Sequence, residues 1–165
     1  MKLSHLILVG ILLISLIGGA SAALGHYSWT SGLYTIEVWN NSAMGANTTT
    51  WSVPATTSSV EYLVVGGGGG GGGIGNTNPG AGGGGAGGYL TATNFAVTPG
   101  GNVSITVGTG GAGGLTDGTN GFGTPSHNGT ASIFSTVTSF GGGWATSSWS
   151  NGTNCTPAPR AWTVP

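Results

Sequence analysis

The stretch that most restricts this chain is YLVVGGGGGGGGIG, Tyr62 to Gly75, in which a short apolar run passes into eight consecutive glycines. Eight glycines have no side chains to bury. Ordering each costs roughly 0.5–1 kcal/mol more than ordering alanine. The octad is therefore a ligand loop, a slack linker, or an element held together by its own backbone. A phosphate loop needs a helix whose N-terminus faces the phosphates, with either Lys-[ST] or a downstream acidic residue. Ile74-Gly75-Asn76-Thr77-Asn78-Pro79 follows instead, and it cannot start an amphipathic helix. Nucleotide binding is rejected on that ground, and no cofactor is expected. A linker would divide the chain once. Here three apolar runs each lead into glycine: Val60–Val65 into Gly66–Gly73, Ile105–Val107 into Gly108–Gly114, and Thr138–Phe140 into Gly141–Gly143. A further block, PGAGGGGAGG from Pro79 to Gly88, leads back into an apolar run. Recurrence at the same place in each unit argues for an ordered structural element.

Glycine has a specific route to order. In the left-handed helix with three residues per turn there are no internal hydrogen bonds, so N–H and C=O groups point sideways. Without side chains, neighbouring helices of this kind can approach and exchange those bonds, each worth about 0.5–1.5 kcal/mol net. The octad is expected to pack against Gly82–Gly88, Gly108–Gly114 and Gly141–Gly143, with the apolar strands forming a small core. Glycine makes up 37 of 165 residues, yet there is no G-X-Y period, which excludes collagen. Only Lys2, Arg160, Glu37, Glu61 and Asp117 carry charge. A chain this poor in charge and 38% apolar lacks the composition of a disordered segment. It also lacks the clustered Lys and Arg that nucleic-acid binding requires.

Strand patterns dominate beyond residue 22. TSGLYTIEVW places Tyr34, Ile36 and Val38 on one face and Thr35 and Glu37 on the other, with Ser31-Gly32 turning it back on HYSW. Tyr27, Trp29 and Trp39 read as core. VEYLVV is apolar on both faces, as in a strand between layers. YLTATNFAV and NVSITVG read as a hairpin joined at Thr98-Pro99-Gly100, where Pro and Gly suit a type II turn. Ser132 to Phe140 reads as one further strand. The fold class is all-β, with short antiparallel strands and a packed layer of polyglycine II-like segments.

The N-terminus is MKLSHLILVGILLISLIGGASAA. Lys2, the apolar run Leu6–Ile17 and Ala20-Ser21-Ala22 fit a secretory signal helix cleaved after Ala22. The run is shorter than the ~20 residues that span a membrane. An uncleaved anchor is the alternative, and the only membrane contact foreseen. Six sequons, at Asn40, Asn47, Asn102, Asn128, Asn151 and Asn154, are candidate glycosylation sites of an exported protein. An Asn-, Ser- and Thr-rich chain also makes such triplets by chance. The single cysteine, Cys155, allows no internal disulfide.

The ordered series WSVPATTSSVEYLVVGGGGGGGG, GAGGGGAGGYL, FAVTPGGNVSITVGTGGAGG and NGTASIFSTVTSFGGG resembles the glycine-rich domain of phage tail-fibre adhesins and prokaryotic cell-surface proteins, over about Trp51 to Gly143. The resemblance implies an all-β domain with packed polyglycine II helices. It also implies surface display and, in the phage adhesins, receptor contact through loops. The export signal moves the expectation from a phage fibre to a secreted or cell-surface protein. The organisation read from sequence is a signal peptide at 1–22, a strand or hairpin segment at 23–50, the glycine-rich domain at 51–143, and a Trp/Asn/Thr-rich linker at 144–165. Trp162-Thr163-Val164-Pro165 repeats the W-x-V-P pattern of Trp51-Ser52-Val53-Pro54. It reads either as a chance match or as the start of a second repeat.

Catalysis needs clustered polar groups with shifted pKa values. Asp117 and His127 share a loop region with no third ligand type nearby, and there is no G-x-S-x-G motif, so the chain reads as non-enzymatic with no metal site; a weak cation site at Asp117 with loop carbonyls is the alternative. Trp144 and Trp149, in GGGWATSSWSNGTN, are candidate binding residues. Aromatics among Ser, Thr and Asn can stack on sugars and hydrogen-bond to hydroxyls. The alternative is that each caps the glycine layer with its N–H satisfied locally. The leading expectation is a structural or adhesive module presenting loops to an envelope glycan or surface protein. Two others are an ice- or surface-binding protein using a flat glycine face, for which no regular Thr spacing is present, and a pure spacer in a repeat array.

Overall fold

The computed structural model describes residues 5–9, 24–41, 47–74, 81–115, 124 and 126–145. Among these residues are nine strands: β1 (His5–Val9), β2 (Leu24–Ser31), β3 (Tyr34–Asn41), β4 (Asn47–Ser52), β5 (Ser59–Val65), β6 (Tyr89–Ala96), β7 (Asn102–Val107), β8 (Ser132–Phe134) and β9 (Val137–Ser139). No helix occurs among the described residues. The chain divides into two compact units that interleave along the sequence. The first holds Met1–Val65, Tyr89–Thr109 and Ala131–Ser139; the second holds Gly66–Gly88, Gly110–Thr130 and Phe140–Pro165.

The first unit is a sandwich of a five-stranded sheet, order β2-β3-β1-β5-β6, and a four-stranded sheet, order β4-β7-β8-β9. β5 shows why the halves close. Val60, Tyr62 and Val64 are buried while the residues between them are half-buried, so a run apolar on both faces commits one face fully. That face and Trp39 meet Trp51, Ile105, Val107, Phe134 and Val137 of the other sheet. Tyr62, Phe95 and Phe134 form a triangle of rings with centroids 5.4–5.7 Å apart. Trp39 and Trp51 meet edge-to-face at 6.2 Å. These offset arrangements are the ones favoured by the ring quadrupole.

Several details differ from the sequence reading. β6 and β7 are not a hairpin: β6 pairs with β5, and β7 pairs with β4 and β8, in separate sheets. The turn between them does form. Gly100 has φ +71 and Gly101 N–H donates to Thr98 C=O at 2.9 Å. The turn is held by Val53 instead, which exchanges backbone bonds with Gly100 and Gly101, so the chain crosses between layers. β6 carries a bulge opposite Val60/Tyr62, with Asn94 at φ 59, a region Asn tolerates. The extra residue brings Phe95, not Asn94, opposite Val60 and into the core. Ser132 to Phe140 is not one strand: Ser135, at φ 55, turns β8 into β9.

The segment expected to begin a signal helix is extended at His5–Val9. β1 runs parallel to both β3 and β5. The apolar, partly β-branched sequence HLILV suits a central parallel position, and two neighbouring strands supply the backbone partners. No helix among the described residues is long and apolar enough to cross a membrane.

Candidate functional site: glycine segments and an exposed aromatic face

In the second unit the glycine octad bonds to four other segments. The N–H groups of Gly66, Gly69 and Gly72 donate to the carbonyls of Gly88, Gly85 and Gly82 at 2.8–2.9 Å. Those of Gly67, Gly70 and Gly73 donate to Thr130, His127 and Thr124 at 3.0–3.2 Å. In return, Gly68 and Gly71 carbonyls accept from Gly111 and Gly114, both at 2.8 Å, and Gly67 and Gly70 carbonyls accept from Gly142 and Ala145. The outer segments also bond to one another, as in Gly85 N–H to Gly143 C=O at 2.8 Å and His127 N–H to Ala112 C=O at 2.9 Å. Every third residue faces the same neighbour. That period matches neither an α-helix at 3.6 nor a strand at 2.0.

The period decides where glycine is obligatory. A Cβ on Gly69 would overlap the Gly143 carbonyl, and one on Gly70 would overlap that of Ala112. A Cβ on Gly68 or Gly71 would meet only ordinary contacts, at 3.7 and 3.8 Å. The expected neighbours 82–88, 108–114 and 141–143 are thus present. Segment 124–130 is an additional one that sequence reasoning missed, because it carries little glycine. Within it Ser126 is buried, and its hydroxyl lies 2.6 Å from the Gly70 carbonyl and accepts from Ala145 N–H at 2.8 Å. A short hydroxyl side chain does at that point what a bare backbone does elsewhere.

Of the candidate binding residues, Trp144 is half-buried and its backbone N–H donates to Asn128 Oδ1 at 2.7 Å. Trp149 lies outside the described residues. Among the sequons, Asn102 and Asn128 are exposed, and Asn40 and Asn47 are half-buried. Asn102 Oδ1 accepts from Ser52 Oγ at 3.1 Å. Asn151, Asn154, Asp117 and Cys155 lie outside the described residues. His127 is exposed and takes part in the glycine network through its backbone. Among the described residues no group of three His, Cys, Asp or Glu could hold a metal.

The aromatic residues of β2 correct the sequence reading. Trp39 is core, at 3% exposure, but Tyr27 and Trp29 are 57% and 44% exposed. The reason is sheet position. β2 is an edge strand, and its register with β3 pairs His26 with Trp39, and Tyr27 and Trp29 with Val38 and Ile36. The face that read as polar, with Thr35 and Glu37, is the one whose Trp39 enters the core. On the other face Tyr27, Trp29 and Tyr34 are exposed, while Ile36 is half-buried and Val38 buried. On the core side His26 stacks on Trp39 at 4.8 Å and bonds to Glu37 at 2.7 Å.

No curated protein and no solved structure matches this chain. A family profile described as a glycine-rich domain matches residues 42–160, well over half of the sequence, and it takes in all of the glycine segments whose backbones bond to one another. The chain belongs to the glycine-rich domain family.

Proposed function

We propose that the chain is a non-catalytic, secreted or cell-surface structural and adhesive module, in which polyglycine II-like segments form a rigid, uncharged scaffold that presents loops to an envelope glycan or surface protein. The observation that carries this reading is the period-three bonding between glycine segments, which is the repeat of a threefold helix without internal hydrogen bonds. Such a scaffold needs no apolar side chains and no charge, and it leaves the connecting loops free to vary. The leader-like N-terminus and the sequons support display outside the cell.

Two experiments test it. Amide exchange followed by NMR is expected to show a period of three across the octad. Gly69, Gly70, Gly72 and Gly73 should be protected. Gly68 and Gly71, whose N–H groups have no acceptor among the described residues, should exchange fastest. Uniform protection, or none, contradicts the threefold-helix reading. Fractionation of the native host with mass spectrometry of the N-terminus tests export: the expected product begins at Ala23, without the β1 strand that lies between β3 and β5 in the full chain, and is found outside the cytoplasm. A cytoplasmic product beginning at Met1, with β1 kept as a sheet strand, contradicts it.

A further inference from the structure

We propose that the outer face of the β2–β3 hairpin is a binding surface for a neutral polysaccharide, with Tyr27, Trp29 and Tyr34 as the stacking residues. The inference deepens the adhesive reading above and rests on it for access to such a polymer.

Register places the three rings together. Tyr27 opposes Val38, Trp29 opposes Ile36, and Ser31 opposes Tyr34, so all three aromatics point to one face. Tyr27 and Trp29 are two residues apart, about 7 Å along the strand. Trp29 and Tyr34 are diagonal neighbours across the pair, within reach for aromatic side chains. The rings are 57%, 44% and 43% exposed over a floor of half-buried Ile36 and buried Val38. Exposed apolar patches rimmed by polar groups mark interaction sites.

The chemistry of the face selects the partner. Each ring offers a flat apolar surface and a polar tip, the Tyr hydroxyl or the indole N–H. Stiff aromatic side chains lose little entropy on binding. A sugar ring is the complement, with C–H groups over one face and hydroxyls around the rim. Charge narrows the class further. The hairpin's two titratable side chains besides tyrosine, His26 and Glu37, lie on the opposite face and bond to each other at 2.7 Å. No Lys or Arg occurs among the described residues, so none of these offers the face a cation for carboxylate, sulfate or phosphate. That disfavours an acidic polysaccharide, a nucleic acid or an anionic lipid surface.

Affinity electrophoresis of the full purified chain tests this, in gels containing hydroxyethyl cellulose, glucomannan or dextran as neutral polymers and alginate as the acidic one. Retardation by at least one neutral polymer is expected, with no retardation by alginate. Trp29→Ala, and separately the double variant Tyr27→Ala/Tyr34→Ala, should weaken binding at least tenfold with unchanged Tm. Trp29→Tyr should restore most of it. Four results overturn the proposal: no retardation by any neutral polymer, retardation by alginate alone, binding unchanged in both alanine variants, or sedimentation showing that Trp29→Ala abolishes self-association while polymer binding persists. The purified chain is tested free of its cell, so a failure here is distinct from a failure of the export result.

Discussion

Gly70→Ala is expected to lower stability by about 3–5 kcal/mol, while Gly68→Ala, two residues earlier in the same octad, stays within about 1 kcal/mol of the parent. The contrast follows from which neighbour each position faces. A Cβ at Gly70 would overlap the Ala112 carbonyl, and neither side can yield cheaply. Gly70 donates to His127 C=O and accepts from Ala145 N–H, while Ala112 C=O accepts from His127 N–H. Relieving the clash means parting segments, so an overpacking cost of about 1–3 kcal/mol adds to two or more lost bonds at about 0.5–1.5 kcal/mol each. At Gly68 the nearest atom to an added Cβ is the Gly85 carbonyl at 3.7 Å. There the reduced freedom of the unfolded chain favours alanine by about 0.4–1 kcal/mol. For a chain of this length the Gly70→Ala loss corresponds to a fall in Tm on the order of 10 °C, read by calorimetry. Equal effects at the two positions would contradict a three-residue period.

Phe134→Ala is expected to cost about 3–5 kcal/mol, the range for truncating a buried aromatic, read as a shift in the urea midpoint at unchanged slope. Phe134 is fully buried and closes the ring triangle with Tyr62 and Phe95. It reaches the core from a three-residue strand, β8, whose backbone is pinned on one side by β7 and on the other by β9. With Tyr62 and Phe95 both on the facing sheet, no neighbour in β8 can fill the space. A loss under about 1 kcal/mol would mean that the sandwich does not rely on this ring.

The two substitutions probe different physics, and they were unequally visible in the sequence. The glycine blocks declared themselves, because a residue without a side chain leaves few ways to become ordered. Three of the octad's four partners could be named from glycine content alone. The fourth, 124–130, could not: it bonds through the backbones of Thr124, His127 and Thr130, and backbone groups have no sequence signature. Phe134 was visible only as a member of an apolar run. Its turn at Ser135 and its ring partners depend on distant residues. Phe95 reached the core only because the bulge at Asn94 shifts alternation by one, which a period of two cannot anticipate. At the candidate aromatic face, Tyr27 and Trp29 were legible as strand residues and misplaced as core.

By itself the sequence determined the all-β class, the recurrence of glycine after strands, the near-absence of charge and the positive-φ turns at Gly32 and Gly100. These are local matters: φ preferences, side-chain volume and composition. Tertiary structure alone decided that β6 and β7 separate into different sheets and that a nearly glycine-free segment completes the octad's bonding. It also decided that β2 lies at a sheet edge, with its aromatics outward. Each of those turns on which strand or segment occupies the adjacent position, and that choice is made by residues far away in the chain competing for the same backbone groups and the same core volume.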